Sequence, residues 1–390
     1  MEEVLIAAAC RTPSGKLLGS LSSLSAPELG ATVISEALKR GGVRTTLIDE
    51  VIMGNALGAG VGQNPARQSA MLAGLPEEVA AFTVNMVCAS GLKAISLAAS
   101  AIMLGEADTV VAGGMESMSR APFLLRDMRK GLRYGDSKVV DSMIFDGLWD
   151  RFYNAHMGEL CELTARKYKL SRETQDAFAL SSHRKALEAT RKGLFREEMA
   201  PVRLKDSTVL GEDETIRRDT GIKKLSLLKP VFKEGGTITA GNSPGLNDGA
   251  AALVLISAKK AKALNIKPLA RVIGFSTAYT DPKWYTVAPV ISVKNLLKKT
   301  GLKIEDFDLI EENEAFAAQT LAVMKELKMD PYRVNVNGGA IALGHPIGAS
   351  GARILTTLVH ALRNRKKSLG LATICLGGGG AMSMAIKTFK

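Results

Sequence analysis

Cysteine and aromatic residues are scarce in this sequence. Its 390 residues include four cysteines, Cys10, Cys88, Cys161 and Cys375, and aromatic side chains make up 5% of the chain. No two cysteines have CxxC spacing, so the sequence predicts neither a disulfide framework nor a zinc site, and we expect no bound metal. Free thiols are typical of a reducing compartment, which predicts a cytoplasmic protein.

Membrane and cofactor signals are also missing. We find no apolar run that approaches the ~20 residues of a membrane helix, and the first residues lack the pattern of a signal or transit peptide. The glycine-rich run at 54–62 is not a GxGxxG dinucleotide fingerprint, and no GxxxxGK[ST] phosphate loop is present. We therefore expect no membrane partner and no tightly bound cofactor.

Acidic residues are too few to balance the basic ones, and the formal net charge is +12. A basic surface attracts either nucleic acid or a phosphorylated small molecule. Lysine and arginine are spread along the chain, and the densest cluster, at 363–367, is short and not interleaved with aromatic residues. We expect no nucleic acid partner, although a basic scaffold remains the non-enzymatic alternative.

The chain is rich in small and apolar residues, with 38 glycines and 46% hydrophobic residues. Strand-like runs alternate with helical periodicity, as at 51–54, 89–104 and 109–113, and this alternation predicts a parallel sheet covered by helices. Between about 120 and 219 charges rise and strand-like runs become scarce. That segment is predicted to be an inserted, mostly helical region.

The two halves of the sequence repeat a pattern. Val84 and Asn85 precede a Cys-Ala-Ser-Gly segment at 88–91 and a long helical stretch. Val336 and Asn337 precede a Gly-Ala-Ser-Gly segment at 348–351 and a second long helical stretch. An internal duplication of one α/β unit explains this more economically than chance similarity between glycine- and alanine-rich segments.

Two thiols, one histidine and one asparagine lie at predicted turns. Cys88 is placed at a helix start, where free N–H groups and a positive partial charge would lower its pKa. His345 lies in a Gly- and Pro-flanked loop and is a candidate base. Cys375 opens a run of glycines whose N–H groups could bind an oxyanion, and Asn313 could orient a water molecule.

These residues also have structural interpretations. Cys88 could be a buried structural cysteine, His345 could cap a turn, and the glycines after Cys375 could only allow strands to pack. If the residues are functional, they suit covalent acyl transfer through a cysteine. They suit a cysteine hydrolase equally well, and their spacing alone does not separate the two.

Segments along essentially the whole chain resemble signatures of the thiolase family. They are RTP at 11–13, QNPARQ at 63–68, NMVCASG at 85–91, GGMESMS at 113–119, the segment 241–250, NEAFA at 313–317 and the segment 335–351. The resemblance implies a duplicated five-layer α/β fold (α-β-α-β-α) with an inserted loop domain that binds coenzyme A. It divides the chain into an N-terminal half, 1–262, with the insertion at about 119–246, and a C-terminal half, 268–390.

The resemblance also implies the catalytic roles. Cys88 carries the acyl group as a thioester, His345 activates it, and Cys375 moves the proton at the α-carbon. His345 and a water held by Asn313 form one oxyanion hole, and the backbone N–H groups of Cys88 and Gly377 form the other. Decarboxylating enzymes of related fold need a second histidine where this chain has Cys375.

The implied reaction joins two acetyl-CoA molecules into acetoacetyl-CoA, or cleaves it by thiolysis, as part of lipid metabolism. Coenzyme A is then substrate and product, and the family implies a homo-oligomer, either a dimer or a tetramer. The residues that fall on the coenzyme A channel are Leu148, His156, Met157, Arg217, Ala240, Gly241 and Phe316.

Three departures from the family pattern bear on acyl-chain length. They are LCE at 160–162, NSPG at 242–245 and Trp284-Tyr285. The alternative enzymatic function is accordingly a broad-chain 3-ketoacyl-CoA thiolase of fatty-acid degradation.

Overall fold

The computed structural model describes residues 2–389, which form a mixed β-sheet and eleven α-helices. The strands are β1 (Val4–Arg11), β2 (Gly15–Lys16), β3 (Glu50–Gly54), β4 (Ala80–Val84), β5 (Thr109–Ser117), β6 (Phe123–Leu124), β7 (Val140–Asp141), β8 (Trp149–Asp150), β9 (Ala155–His156), β10 (Val202–Arg203), β11 (Val209–Leu210), β12 (Asn247–Ser257), β13 (Ala270–Tyr279), β14 (Leu309–Glu312), β15 (Leu369–Leu376) and β16 (Gly380–Thr388).

The helices are α1 (Ala26–Gly41), α2 (Pro65–Leu72), α3 (Ser90–Leu104), α4 (Met157–Lys167), α5 (Arg172–Arg191), α6 (Ile222–Ser226), α7 (Ala258–Ala263), α8 (Ala288–Thr300), α9 (Ala317–Leu327), α10 (Ala340–Leu343) and α11 (Ile347–Asn364). A π-helical turn spans Met143–Leu148, and 3₁₀ turns span Thr45–Leu47, Met118–Arg120, Met128–Lys130, Pro282–Val287 and Ile304–Asp306.

The main sheet runs in the order β14-β15-β16-β13-β1-β12-β5-β3-β4. The predicted parallel sheet is wrong, because only the pairs β3/β4, β3/β5 and β14/β15 are parallel. The remaining pairs along this order are antiparallel. One cause is the short connection from β15 to β16, since strands joined by a tight turn must run antiparallel.

Both halves of the chain build the same unit, as the repeated sequence pattern predicted. In the N-terminal half β3 is parallel to β5, and β5, β12 and β1 follow as antiparallel neighbours. In the C-terminal half β14 is parallel to β15, and β15, β16 and β13 repeat the antiparallel series. The halves meet where Leu5 and Ile6 of β1 pair with Arg271 and Ala270 of β13.

Helices α3 and α11 form a central layer between the two halves of the sheet. They pack on each other; α3 also packs on β3 and β5, and α11 packs on β12 and on β15. On the outer faces α1 packs on β1 and β12, and α8 packs on β13 and β16. The five-layer α-β-α-β-α arrangement implied by the resemblance is therefore confirmed.

The central helix α3 is more apolar than the sequence analysis allowed. The 18 residues Val87–Leu104 have a mean hydropathy of 1.7, which suffices by length and composition for a membrane span, and 56% of them are buried. Our expectation that no apolar run approaches the length of a membrane helix was wrong, because this run is interrupted in the sequence by Lys93 and several serines. Inside the fold the helix contacts α11 and the sheet, which accounts for its apolar composition.

The apolar pattern of the sequence predicts strands at 237–239 and 333–336 that the structure lacks, and among the longer strands it does not predict β13. Residues 237–239 and 333–336 each make only one isolated bridge, Thr239 with Pro230 and Val334 with Ile310. Near the second bridge, Asn335 Oδ1 accepts the N–H of Glu312 at 2.9 Å, and Asn335 Nδ2 donates to the carbonyl of Glu312 at 2.8 Å. A side chain therefore makes the hydrogen bonds that a neighbouring strand would otherwise make. The sequence analysis missed β13 because glycine, serine and threonine interrupt its apolar pattern.

Glycines allow α3 and α11 to approach each other closely. A Cβ atom at Gly351 would lie 2.5 Å from the backbone nitrogen of Leu92, and one at Gly91 would lie 2.9 Å from that of Ala352. A Cβ at Gly114 of β5 would overlap the carbonyl of Gly348. These obstacles are backbone atoms, which cannot rotate away as a side chain can. The first turns of α3 and α11 are therefore locked together.

We expect Gly351→Ala to lower the free energy of unfolding, although alanine favours an isolated helix by about 1 kcal/mol. The clash with Leu92 outweighs this gain, because overpacking typically costs about 1–3 kcal/mol. Chemical denaturation of both proteins measures the difference. Gly211→Ala is the control, since nothing lies within 4 Å of its added Cβ. Equal stability of Gly351→Ala and the unsubstituted protein would contradict the locked contact.

Candidate active site

Cys88 lies on a sharp turn between β4 and α3. Val87 has a φ of +47°, which is rare for a β-branched residue. The Asn85 side chain accepts the Val87 N–H at 3.0 Å, and the Ser90 hydroxyl accepts the Met86 N–H at 2.8 Å and donates to the Val87 carbonyl at 2.6 Å. These bonds hold the turn that presents Cys88.

His345 is fixed by one hydrogen bond of its backbone and one of its ring. Its backbone N–H donates to Asn247 Oδ1 at 2.9 Å, and its Nδ1 lies 2.6 Å from Ser350 Oγ. The single Ser350 hydroxyl proton is donated to the Pro346 carbonyl at 2.8 Å. Nδ1 must therefore be the donor to Ser350, and the lone pair of Nε2 is available as a base.

Asn313 and Cys375 lie at the ends of neighbouring strands, β14 and β15. The Asn313 backbone N–H donates to the Thr373 carbonyl at 3.0 Å. Both polar atoms of its amide are buried without a protein partner, and buried amides require a partner such as water or a ligand. Asn313 is thus suited to hold a water, as the sequence analysis expected. Cys375 is 1% exposed.

One small cavity, of about 100 Å³, brings most of the predicted residues together. Those that line it are Cys88, His345, Cys375, Gly377, Leu148, His156, Met157 and Phe316. Asn313 lies beside it, next to the lining residue Ala315. The lining also includes Phe232 and Ile347, which the sequence analysis did not nominate, and Ser243 and Tyr285, which belong to the segments that it connected with acyl-chain length.

Three predicted coenzyme A contacts do not line this cavity. Arg217 is exposed, and its guanidinium donates to the carbonyl of Ala240 at 3.1 Å. Gly241 is buried beside Leu225 and Leu228. Arg217 and the 240–241 segment are therefore neighbours, outside the cavity that holds the two cysteines. Their role in coenzyme A binding stays a prediction.

The resting site contains neutral groups. Burial raises the pKa of the Cys88 thiol to about 12, although the N–H groups of Gly377 and of Cys88 itself oppose this. The expectation that a helix start lowers the pKa of Cys88 is therefore wrong, because desolvation outweighs the helix end. Burial, with the charge of Arg353, lowers the pKa of His345 to about 3. Burial raises the pKa of Cys375 well above its ordinary value.

Family models match nearly the whole chain. The model for the thiolase N-terminal domain matches residues 4–259, and that for the thiolase C-terminal domain matches residues 266–388. The chain belongs to the thiolase family.

Several relatives of this thiolase match it from end to end. An acetyl-CoA acetyltransferase of Pseudomonas aeruginosa is 52% identical over 99% of both chains, and one of Cupriavidus necator is 51% identical over 99% of this chain and all of its own. A probable acetyl-CoA acyltransferase of Staphylococcus aureus is 50% identical over both full lengths. The crystal structure of the Bacillus anthracis acetyl-CoA acetyltransferase has a TM-score of 0.98 at 43% identity, covering 100% of this chain and 99% of its own.

Aromatic rings from the segment between β5 and β12 contribute to one wall of the cavity. The His156 ring stacks on Phe232 at 4.7 Å between centroids, and Phe232 meets Phe316 edge-on at 5.8 Å. His156 Nδ1 accepts the Gly158 N–H at 3.1 Å, so Nε2 carries the proton of the neutral ring. Burial lowers the pKa of His156, and the ring can therefore donate one hydrogen bond to a thioester or amide oxygen.

Glu116 of β5 positions the site, and the sequence analysis did not nominate it. Its buried carboxyl accepts from Asn55 Nδ2 at 2.6 Å, from the N–H groups of Ala56 and Leu57 at 3.0 and 3.2 Å, and from the Gly348 N–H at 2.8 Å. It thus connects the loop after β3 to the first turn of α11. A glutamate inside an otherwise fully buried strand was the available sequence signal.

No cluster of three or more His, Cys, Asp or Glu side chains able to hold a metal ion occurs within residues 2–389.

We expect Ser350→Ala to slow acylation of Cys88 about fivefold to tenfold, because losing a hydrogen bond of about 1 kcal/mol to Nδ1 leaves the tautomer and orientation of His345 unfixed. Single-turnover transfer of an acetyl group from acetyl-CoA measures this rate. Ser292→Ala removes another buried hydroxyl, bonded to the Ser276 carbonyl, and should leave acylation unchanged. Equal acylation rates in the two variants would contradict the role of Ser350.

Proposed function

We propose that this thiolase is an acetyl-CoA C-acetyltransferase that joins two acetyl-CoA molecules into acetoacetyl-CoA and coenzyme A, or catalyses the reverse thiolysis. The observation that carries the proposal is the meeting of Cys88, His345 and Cys375 in one small cavity. The names of the Pseudomonas and Cupriavidus relatives support the same activity.

In the first half-reaction the acetyl group moves to Cys88. His345 Nε2 accepts the thiol proton as the sulfur attacks the thioester carbonyl, which is needed because the resting thiol is neutral. The negative charge on the carbonyl oxygen is stabilised by the backbone N–H groups of Cys88 and Gly377. Coenzyme A leaves with the proton of Cys375, which becomes a thiolate, while His345 keeps the proton on Nε2 and acetyl-Cys88 remains.

In the second half-reaction a carbon–carbon bond forms. The Cys375 thiolate formed in the first half-reaction accepts a proton from the α-carbon of a second acetyl-CoA. The Nε2–H of protonated His345 and a water held by Asn313 stabilise the enolate oxygen. The carbanion attacks the acetyl carbonyl of Cys88, acetoacetyl-CoA forms, and Cys88 leaves as a thiolate that is reprotonated. The same groups used in reverse order carry out thiolysis.

The cavity favours short acyl groups over the broad-chain alternative. Its volume of about 100 Å³ is small beside the ~300–1,000 Å³ of pockets for drug-sized ligands. Tyr285 forms part of its wall, is 3% exposed, and donates its hydroxyl to the Met157 carbonyl at 2.9 Å. A ring held in this way leaves little room for a longer chain.

The outer part of coenzyme A is proposed to lie on the insertion at about 119–246, which is part of the N-terminal half, 1–262; the C-terminal half is 268–390. Arg217, Ala240 and Gly241 would then contact the nucleotide end of coenzyme A, which carries its phosphates. The neighbouring charges Lys223 and Lys224 and the chain's excess of positive charge are consistent with a polyanionic substrate.

We also propose a cytoplasmic homo-oligomer, a dimer or a tetramer, that acts in lipid metabolism. The four cysteines are all free thiols, which suits a reducing compartment. An unpaired edge at β4 with a part-exposed Phe82, and exposed apolar side chains such as Phe123 and Tyr134, suit contacts between subunits.

Incubation with acetyl-CoA is expected to add one acetyl mass to the peptide that contains Cys88, because only this thiol combines a strained turn with access to the cavity and His345. Peptide mass spectrometry after rapid quenching measures the site. Cys10→Ala removes a buried thiol that bonds the Val33 carbonyl and should not change the labelling. A label found only on Cys10, Cys161 or Cys375 would overturn the proposal.

We expect Tyr285→Ala to raise kcat/KM for a six-carbon 3-ketoacyl-CoA relative to acetoacetyl-CoA by tenfold or more, because each methylene accommodated is worth about 1–3 kcal/mol. Thiolysis rates over a chain-length series measure this ratio. Tyr285→Phe keeps the ring and loses only the bond to Met157, so it should retain the short-chain preference. A ratio that is the same in Tyr285→Ala and the unsubstituted enzyme would contradict the limit set by Tyr285.

A further inference from the structure

The glycine turn between β15 and β16 carries one of the N–H groups proposed to stabilise the oxyanion. Gly377 of this turn lines the cavity with Cys88. Gly378 and Gly379 follow with φ values of +81° and +87°, which glycine adopts without strain. Because the turn has no side chains of its own, its neighbours must hold the Gly377 N–H in place.

The segment that follows β13 packs against one side of this glycine turn. The Thr280 N–H donates to the Gly379 carbonyl at 2.8 Å. A Cβ atom at Gly379 would overlap the Thr280 carbonyl and would lie 3.0 Å from Pro282 Cα. The two backbones are therefore in direct contact, and a displacement of residues 280–282 must displace the turn, since no side chain lies between them to absorb it.

Asp281 lies in the middle of this segment and is bonded through both its side chain and its backbone. Its Oδ1 accepts the Tyr153 hydroxyl at 2.7 Å and the Lys283 N–H at 3.2 Å, and its Oδ2 lies 2.9 Å from Lys283 Nζ. Its backbone carbonyl accepts the Trp284 N–H at 2.8 Å. Lys283 and Trp284 are local partners. Among these contacts, the one with Tyr153 connects the segment to a distant part of the chain.

Tyr153 lies at the tip of the hairpin that β8 and β9 form. The Asp150 carboxylate accepts the N–H groups of Phe152 and Tyr153 at 3.0 and 2.7 Å, which fixes the shape of the tip. The hairpin is flanked by Leu148 and ends at His156, and both residues line the cavity. A bond at the tip therefore holds an element that forms part of the cavity wall.

The hairpin and the 280–282 segment lie on two sides of the glycine turn. A Cβ atom at Gly378 would meet Phe152 Cε2, beside Tyr153, at 3.9 Å. A Cβ atom at Gly377 would meet Met157 Cε, just after the hairpin, at 3.8 Å. Both distances are ordinary van der Waals contacts. The bond from Tyr153 to Asp281 thus connects the two elements between which the turn is packed.

We propose that the hydrogen bond between Tyr153 and Asp281 sets the position of the Gly377 N–H, and that both side chains are positioning residues for acetyl transfer. This inference rests on the proposed function. With the bond in place, residues 280–282 hold the glycine turn so that the Gly377 N–H points at the oxygen on which negative charge develops. Without the bond, the segment and the turn have more freedom, and the donor is less well aligned.

Tyr153→Phe removes the bond and keeps the ring. We expect single-turnover acetylation of Cys88 to slow about fivefold, which is the equivalent of the ~1 kcal/mol of one hydrogen bond. The acetyl-CoA concentration that gives half of the maximal rate should stay the same, because the oxygen gains its charge only in the transition state. Tyr168→Phe is the matched control. It loses a similar bond, from its hydroxyl to Glu326 at 2.9 Å, and should be acetylated at the rate of the unsubstituted enzyme.

Variants of Asp281 test whether the two side chains act as a pair. Asp281→Ala should slow acetylation at least as much as Tyr153→Phe, because it also removes the bonds to Lys283. In the Asp281→Ala background, Tyr153→Phe should have no further effect, since its partner is absent. Asp281→Asn keeps an oxygen that can accept from Tyr153 and should retain most of the rate. The inference is wrong if the two losses multiply in the double variant, or if Tyr153→Phe is acetylated at the unsubstituted rate.

The carbonyl stretch of acetyl-Cys88 tests the position of the N–H group itself. Acetyl-CoA that is isotopically labelled at its carbonyl carbon identifies this band in infrared difference spectra. A donor that is less well aligned weakens the hydrogen bond to the carbonyl oxygen, so the band should shift to higher wavenumber in Tyr153→Phe and stay in place in Tyr168→Phe. A purely structural effect of Tyr153→Phe would slow the enzyme without moving the band, and that result would overturn the inference.

The proposed function and this inference fail in different ways. If acetyl-CoA leaves no acetyl group on Cys88 of the unsubstituted enzyme, the proposed function itself is wrong. If Cys88 is acetylated normally and neither the rate nor the band responds to Tyr153→Phe, only the inference about Tyr153 and Asp281 is wrong. Thermal unfolding of each variant checks the fold. Little change is expected for Tyr153→Phe, since Tyr153 is 44% exposed.

Discussion

The contact between the first turns of α3 and α11 is the constraint on which the rest of the site depends. Cys88 lies just before α3, and His345 lies just before α11. Gly91 and Gly351 allow the two backbones to meet without intervening side chains, and Glu116 bonds the Gly348 N–H from the neighbouring strand. Nucleophile and base therefore come from separate halves of a duplicated fold, and their separation is set by backbone packing and not by flexible side chains.

Burial explains both the stability of this arrangement and its chemistry. Desolvation disfavours charge, so it raises the pKa of Cys88 and Cys375 and lowers that of His345. The resting enzyme therefore has no thiolate–imidazolium pair of the kind found in cysteine hydrolases. We expect the proton to leave Cys88 as the sulfur attacks a bound thioester, which limits reaction of this thiol with other electrophiles.

Much of the fold and site could be predicted because the information is local. The apolar runs of β5 and β15, the glycines at the starts of α3 and α11, and the motifs around Cys88 and His345 are all visible in the sequence. The antiparallel pairing of strands far apart in the chain, such as β1 with β12, could not be predicted, since it depends on how distant strands meet. Nor could the direction of the Cys88 pKa shift, because desolvation by α3, the 345 loop and the 377 turn is a tertiary effect. Phe232 could not be predicted either, because it lies far along the chain from the motifs whose cavity it lines.

The residues that carry out the reaction and the residue proposed to limit acyl-chain length are held by different parts of the fold. Cys88, His345 and Cys375 are held by the two duplicated halves, whereas the acyl group is limited by Tyr285, which precedes α8 and bonds Met157 at the start of α4. This hydrogen bond joins the segment before α8 to the start of α4. Neither Tyr285 nor Met157 belongs to α3 or α11, the helices that position the catalytic groups. A substitution at 285 or 157 can therefore change the space available to the acyl chain while the Gly91–Gly351 contact keeps the reacting atoms in place. Chain length is for this reason the property of the enzyme most open to change by single substitutions.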